Sequence, residues 1–228
     1  MKQLQLPPIY PITDKKFARK ATHLAIVREL VRGGARLVQI RDKDTPVQDL
    51  LMDLRRCVEF CRKHNVLLLV NDRCDLALAS GAEGVHLGQE DIPPQAAREI
   101  LGSARIIGFS THTLAQVRRS ERLPVDYVGF GPIFATTTKQ SQYSARNLQG
   151  LRRACLRARR PVVAIGGITL ERIREVLAAG AASAAVVSAI MCAKDLARQM
   201  EALVEEATER GSTWSRQDKF RLRDRTRK

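Results

Sequence analysis

Strand-like and helix-like segments alternate along most of the chain, and this alternation restricts the possible folds more than any other feature. Short apolar segments typical of buried strands occupy residues 9–13, 36–40, 66–70, 84–87, 105–109, 126–130, 161–165 and 184–187. Segments with helical apolar spacing lie at residues 14–33, 46–64, 76–81, 93–101, 115–122, 148–158, 170–179 and 193–209. This order predicts an α/β protein whose eight parallel strands close into a (β/α)8 TIM barrel.

An open, doubly wound parallel sheet is the alternative to a closed barrel. Eight repeats without an insertion favour closure, and no G-x-G-x-x-G sequence follows the first strand to indicate a dinucleotide-binding fold. A length of 228 residues suits one large domain. We expect that domain over residues 1–210, followed by a basic and disordered tail over residues 211–228.

The formal net charge of +15 raises the question of nucleic-acid binding. Residues 210–228 contain eight Lys or Arg and two Asp, so they account for +6 of that charge. A basic tail with few apolar residues is most simply a solubilising end. We therefore do not expect a nucleic-acid partner, and a polyanion-binding barrel is kept as the non-enzymatic alternative.

The cysteines and the apolar segments indicate the cellular environment. Five cysteines form no C-x-x-C pair, so no disulfide framework is expected. Cys57, Cys61 and His64 share a predicted helical face, but a structural zinc site normally needs four ligands. Neither a secretion signal nor a membrane-spanning segment is evident, and we expect a cytoplasmic protein without membrane contact. The apolar helix faces are also compatible with contact between subunits of a homo-oligomer.

The stretch from residue 66 to residue 91 contains the strongest functional signal. Two predicted strands in it are followed by acidic residues, Asp72 after the first and Asp91 after the second. A right-handed strand–helix–strand unit returns equivalent strand ends to one side of the sheet, which places both carboxylates at one edge. Paired carboxylates there suit a hard cation such as Mg²⁺. The alternative is that each Asp only caps the helix that follows it.

Further polar residues follow the other predicted strands, and in a barrel they share one mouth with the acids. Gly166–Gly167 after the seventh strand and Val187–Ser188 after the eighth indicate a phosphate site built from main-chain amides, although a glycine pair also makes a tight turn. Cationic residues there suit a diphosphate. The residues at the other strand ends are Gln39, Arg41, Lys43, Asn71, Ser110, Thr136, Thr138 and Lys139.

A phosphate pocket beside a metal–diphosphate pocket suggests an enzyme that joins two phosphorylated molecules. Departure of diphosphate would leave an electron-poor centre for the second substrate to attack. Neither a Ser-His-Asp nor a Cys-His arrangement can be assigned, so we do not expect a protein nucleophile.

The chain resembles the thiamine phosphate synthase family from YPITD near its start to AAVVSAI near residue 190. The matching motifs occur in fixed order and read VQIRDKD, VNDRCDLALASGAEGVHLGQEDIP, IIGFSTHT, DYVGFGPIFATTTK and PVVAIGGIT. The resemblance implies a transferase that couples hydroxymethylpyrimidine diphosphate to a thiazole phosphate, giving thiamine phosphate and diphosphate with Mg²⁺. It also implies a ring-stabilised pyrimidine cation as the intermediate.

The resemblance also implies roles for individual residues. Asp72 and Asp91 would hold the metal. The pyrimidine diphosphate would be bound by Gln39, Arg41, Lys43, Asn71, Ser110 and Lys139, and the thiazole phosphate by Thr136, Thr137, Thr138, Gly167, Val187 and Ser188. Ile40 and Asp42 are also expected to bind substrate. Within these groups, the residues expected to take part in catalysis are Arg41, Lys43, Ser110 and Lys139.

Two features qualify the resemblance. The family loop usually reads T-P-T-K, and here Thr137 replaces the proline, which bears on loop rigidity more than on the ligands. A related thiazole tautomerase branch tends to lack both acids and the T-x-T-K loop, whereas this chain has all of them. His112 occurs in both branches, and an acid–base role for it is a minor alternative supported only by its position near the mouth.

Overall fold

The eight predicted strands are all present in the computed structural model, which describes residues 4–18, 22–136 and 143–208. They are parallel and pair in sequence order, and the last strand pairs with the first, so the sheet is closed. The predicted TIM barrel is therefore confirmed. The strands are β1 Ile9–Thr13, β2 Leu37–Ile40, β3 Leu67–Asn71, β4 Gly84–Leu87, β5 Ile106–Thr111, β6 Tyr127–Phe130, β7 Val162–Ile165 and β8 Ser183–Val186.

Helices follow the strands and form the outer layer. They are α1 Lys15–Ala18, α2 His23–Arg32, α3 Val47–Lys63, α4 Cys74–Ser80, α5 Pro94–Leu101, α6 Leu114–Ser120, α7 Asn147–Arg157, α8 Ile173–Ala178, α9 Ser188–Met191 and α10 Leu196–Thr208, with a 3₁₀ turn at Leu170–Arg172.

One predicted helix is wrong, because the segment expected at residues 14–33 contains two helices. The backbone at Thr22 is extended, with φ −134° and ψ 154°, and its side chain accepts a hydrogen bond from the N–H of Ala25. Thr22 is therefore an N-cap that starts α2, since this bond satisfies a backbone donor that the first helical turn leaves unpaired.

Alternate strand residues face opposite sides of the barrel wall. One set packs inside the barrel and includes Tyr10, Leu37, Leu69, Ile106 and Tyr127. The other set packs against the helices and includes Ile9, Val38, Ile40, Leu68 and Val70. This two-residue period follows from the pleat of a strand, and it decides which residues after each strand can face the barrel axis.

Within the described ranges, no helix combines the length and apolar character needed to cross a bilayer. The predicted basic tail, residues 211–228, lies outside the described residues, as do Thr137, Thr138 and Lys139.

Candidate active site

A cleft opens at the carboxyl ends of the strands, around the barrel axis. Its volume, counted with the open mouth, is about 980 Å³. Most of the predicted site residues that the structure describes line it, namely Gln39, Arg41, Lys43, Asn71, Asp72, Ser110, Thr136, Gly167, Val187 and Ser188.

Asp91 does not itself line the cleft, but its side chain interacts with that of Asp72, which does. Asp91 Oδ2 also accepts the main-chain N–H of Gly88 at 2.6 Å, which fixes one end of its carboxyl group. Burial raises the pKa of Asp91, and the side chain of Asp72 beside it raises that pKa further. Two carboxyl groups brought together in this way favour either a shared proton or a cation between them.

The helix-capping alternative for these two residues is not supported by the structure. The N-cap position of α4 is Arg73 and that of α5 is Pro93. Neither helix has a side chain that accepts a capping hydrogen bond at its N-terminus. Asp72 instead has a left-handed backbone with φ 64° and donates its N–H to the carbonyl of His86 at 2.8 Å. A non-glycine residue in this region is uncommon and often marks a functional position.

Arg41 and Lys43 reach the cleft because they continue the inward face of β2 beyond Gln39. Lys43 Nζ lies 3.3 Å from Asp72 Oδ2. Arg41 Nη1 donates to Asp14 Oδ2 at 3.0 Å, which holds the guanidinium at the rim. The cleft therefore has two cationic groups beside the acid pair, as the sequence predicts.

Ile40 and Asp42 alternate with these residues and point outward. The Ile40 side chain belongs to the layer between strands and helices. The Asp42 side chain is only 3% exposed and binds Lys15 Nζ at 3.0 Å and His23 Nε2 at 2.9 Å. Neither residue lines the cleft, so their predicted contact with substrate stays a prediction without support from side-chain position.

The Asp42 cluster holds the loop that displays Arg41 and Lys43. Burial disfavours the charged form of Asp42, but hydrogen bonds from the main chain and hydroxyl of Thr45 and from Asp44 outweigh it, and its pKa is lowered. Burial also lowers the pKa of His23, although Asp42 opposes that shift. The His23 Nδ1 atom contacts the Thr13 hydroxyl at 3.0 Å, so the cluster joins the ends of β1 and β2.

The opposite side of the cleft is formed by main chain. Gly166 and Gly167 have φ values of 100° and 63°, which glycine adopts freely. A Cβ atom on Gly167 would lie 2.9 Å from Phe134 Cβ and 2.5 Å from the Ala135 carbonyl oxygen, so the loop after β6 leaves no room for a side chain. Val187 and Ser188 lead from β8 into the short helix α9.

Tyr10 and His86 also line the cleft, and neither is among the predicted site residues. Each sits on an inward-facing strand position, Tyr10 on β1 and His86 on β4, so a search for polar residues at alternate strand positions could have found them.

Two minor alternatives from the sequence are resolved by geometry. His112 is not a cleft residue; its Nδ1 contacts the Gly131 carbonyl at 2.7 Å and its ring stacks on Tyr143. Cys57 and Cys61 are buried, and burial raises the pKa of Cys61 to about 12. In the described part of the chain, no three His, Cys, Asp or Glu side chains form a metal cluster, so the zinc alternative has no support.

Comparison with known proteins decides the family. The model of the thiamine monophosphate synthase family matches residues 9–190, which include every strand of the barrel and the whole rim. The chain belongs to this family. The resemblance identified from the sequence motifs is thus confirmed.

Named members of the thiamine monophosphate synthase family align over most of their own length. The thiamine-phosphate synthase of Albidiferax ferrireducens is 44% identical over 85% of this chain and 88% of its own. That of Chloroflexus aurantiacus is 40% identical over 89% and 94%. The solved thiamine phosphate pyrophosphorylase of Pyrococcus furiosus superposes with a TM-score of 0.80 at 36% identity, covering 88% of this chain and 96% of that one.

Proposed function

We propose that this protein is a thiamine phosphate synthase, a transferase that joins hydroxymethylpyrimidine diphosphate to a thiazole phosphate. The products are thiamine phosphate and diphosphate. The observation on which the proposal depends is that the Asp72 carboxyl group, which lines the cleft, lies beside both the Asp91 carboxyl group and the Lys43 ammonium group. The names of relatives that cover 85% and 89% of this chain support the same reaction.

The acid pair fits a magnesium site. Mg²⁺ in proteins is usually held by one or two carboxylates together with substrate phosphates and water, so a cluster of three protein ligands is not required. Asp72 and Asp91 would hold the ion, and their mutual approach without a cation is unfavourable. When bound, the ion neutralises charge on a diphosphate group.

Arg41 and Lys43 bind the diphosphate from the β2 side of the cleft. Their charges stabilise the negative charge that develops as the bond between the pyrimidine methylene carbon and the diphosphate oxygen breaks. Lys139 is expected to act in the same way. Gln39 and Asn71 lie deeper in the cleft and orient the pyrimidine ring.

The thiazole phosphate binds on the main-chain side, at Gly167, Val187, Ser188 and Thr136. Thr137 and Thr138 are expected to contribute to the same binding. A phosphate site after strands seven and eight, beside a short extra helix, recurs in barrels of this kind. Once the diphosphate leaves, the thiazole nitrogen attacks the pyrimidine methylene cation from this side. No protein nucleophile takes part in this scheme, so the role of the chain is to orient two substrates and stabilise the leaving group.

The direct test is to mix the purified protein with both phosphorylated precursors and Mg²⁺, and to measure thiamine phosphate by mass and diphosphate by a coupled assay. We expect equal amounts of the two products, and none when either precursor is omitted. Conversion of the thiazole without diphosphate release would instead indicate a tautomerase. Absence of any reaction, together with salt-sensitive RNA binding, would favour the polyanion-binding alternative.

We also propose that the protein is located in the cytoplasm. A homo-oligomeric state stays a prediction that gel filtration with light scattering would test.

A further inference from the structure

A chain of hydrogen bonds runs through the interior of the barrel and ends at Ser110 in the cleft. Gln39 Nε2 lies 2.7 Å from the Tyr10 hydroxyl, which lies 2.9 Å from the Tyr127 hydroxyl. That hydroxyl lies 2.8 Å from His86 Nδ1, and His86 Nε2 lies 2.9 Å from Ser110 Oγ. Five side chains from five strands are thus linked in one series.

The barrel is shaped to hold this series. A Cβ atom on Gly108 would lie 2.5 Å from Tyr127 Cε1, and one on Gly129 would lie 3.3 Å from His86 Cε1. The rings of His86 and Tyr127 are stacked at a centroid distance of 5.5 Å, and Tyr10 meets Tyr127 edge-on at 6.1 Å. Glycines on β5 and β6 therefore provide the space into which the two aromatic rings fit.

The direction of the series follows from its first member. An amide nitrogen can only donate, so the Tyr10 oxygen accepts from Gln39 and its own O–H proton needs an acceptor. Both tyrosine side chains are buried, and burial raises the pKa of each, so both keep their protons. A buried hydroxyl without an acceptor is costly, and within the series both tyrosine protons find an acceptor in only one arrangement.

In that arrangement Tyr10 donates to Tyr127, and Tyr127 donates to His86 Nδ1. His86 then carries its proton on Nε2 and donates to Ser110 Oγ. The Ser110 oxygen is thereby occupied as an acceptor, and its own O–H proton is directed to a partner in the cleft.

We propose that Tyr10, Tyr127 and His86 are positioning residues that set the Ser110 hydroxyl as a hydrogen-bond donor to a diphosphate oxygen of the substrate. This inference rests on the proposed function for the identity of the acceptor. The direction of the hydrogen bonds is a property of the protein alone and can be tested without substrate.

The first test measures the His86 tautomer by ¹⁵N NMR of histidine-labelled protein, with His86→Gln to assign the signals. We expect wild-type His86 to be protonated on Nε2, and Tyr127→Phe to shift it towards a mixture of both tautomers. Protonation on Nδ1 in the wild type would reverse the series, make Ser110 the donor to His86, and overturn the proposal.

The second test is a double-mutant cycle on turnover with Tyr127→Phe and Ser110→Ala. If Tyr127 acts through Ser110, Tyr127→Phe lowers kcat about tenfold with less than a twofold change in KM, and adding it to Ser110→Ala causes no further loss. Losses that multiply would show an independent structural effect and overturn the proposal.

Thr111→Val is the matched control for lost buried hydroxyls. Thr111 lies on β5 beside Ser110, is 1% exposed, and its hydroxyl donates to the Gly129 carbonyl at 2.7 Å rather than to a side chain of the series. We expect its stability loss to resemble that of Tyr127→Phe while kcat stays within about twofold of wild type. A kcat loss in Thr111→Val equal to that in Tyr127→Phe would assign the effect to packing and overturn the proposal.

Failure of the proposed reaction can be distinguished from failure of this inference. If neither precursor reacts, the cycle is repeated on the binding of inorganic diphosphate with Mg²⁺, measured by calorimetry. Non-additive weakening supports the inference, and additive weakening overturns it.

Discussion

The two sides of the cleft differ in whether side chains or main-chain groups line them. On the side of β2 to β4 the cleft is lined by charged side chains that include Lys43 and Asp72, and the Asp91 carboxyl group lies beside Asp72. On the side of β7 and β8 they are main-chain segments around Gly167 and Val187. We refer to these as the side-chain half and the main-chain half.

The two halves are therefore sensitive to different kinds of substitution. Charged groups can be removed by changing one side chain while the backbone stays in place. Main-chain amides cannot be removed in that way, and a glycine site is damaged instead by an added side chain or a shifted loop. Substitutions of opposite kinds should therefore inactivate the two halves.

The largest effect is expected for Asp72→Asn in the side-chain half. Asparagine tolerates the left-handed backbone at φ 64°, whereas alanine would add strain, so Asn isolates the loss of charge. We expect turnover to fall by about 100-fold or more, with the free energy of unfolding changed by less than about 1 kcal/mol.

Thermal unfolding gives a readout of metal binding that does not depend on activity. Mg²⁺ with inorganic diphosphate should raise the Tm of the wild type and leave that of Asp72→Asn and Asp91→Asn nearly unchanged. An equal rise in all three proteins would remove the metal role from this pair.

The next largest effect is expected for Gly167→Ala in the main-chain half. The new Cβ would meet Phe134 and the Ala135 carbonyl, so the loop after β6 must shift. We expect a stability loss of about 1–3 kcal/mol and a KM for thiazole phosphate raised about tenfold, with little change for the pyrimidine diphosphate.

Gly102→Ala is the control, because Gly102 also has a positive φ, 71° with ψ −179°, but has open space around its Cβ position. It should show the backbone cost without the change in KM. A larger loss of thiazole phosphate binding in Ser188→Ala than in Gly167→Ala would contradict the distinction between the halves. It would show that a side chain, rather than the main chain, contributes most to binding in the main-chain half.

A smaller effect on activity is expected for Asp42→Asn, behind the side-chain half. Loss of the charge leaves Lys15 and His23 without their shared partner and loosens the loop that displays Arg41 and Lys43. We expect a stability loss of about 3 kcal/mol and a several-fold rise in KM for the pyrimidine diphosphate.

Asp44→Asn is the control for Asp42→Asn. Asp44 lies on the same loop as Asp42, but its ion pair with Lys16 of α1 is exposed, and exposed pairs contribute little to stability. Equal effects of the two variants on KM would argue against an anchoring role for Asp42.

The smallest effect is a pH dependence of stability from His23. Burial lowers its pKa in the folded state, so the stability from neutral His23 is full above the unfolded value of about 6.5 and is lost as the pH falls through the folded value. Its contribution to the slope of unfolding free energy is at most about 1.4 kcal/mol per pH unit. His23→Gln should flatten that slope between pH 7 and pH 5 in urea titrations, whereas His64→Gln, at an exposed position, should leave it closer to wild type.

Sequence periodicity was enough to predict the barrel, because a buried parallel strand and an amphipathic helix each leave a local pattern. It also placed Asp72 and Asp91 on one rim, because strand direction in such a unit is fixed. Side chains alternate between the two faces of a strand. Counting positions along β2 could therefore have separated Arg41 and Lys43, which face the cleft, from Ile40 and Asp42, which do not. The break before α2 was missed because Thr22 lies inside an apolar pattern that continues on both sides.

The amino-acid sequence by itself determined the order of strands and helices, the family, and the rim on which the acids meet. Only the tertiary structure decided which side chains share a hydrogen bond. Tyr10 and Tyr127 are 117 positions apart and meet only because β1 and β6 line the same closed barrel. His23 likewise meets Asp42 where the first turn of α2 approaches the loop after β2. Local pattern encodes each element, whereas such partners depend on how the closed sheet brings distant strands to one axis.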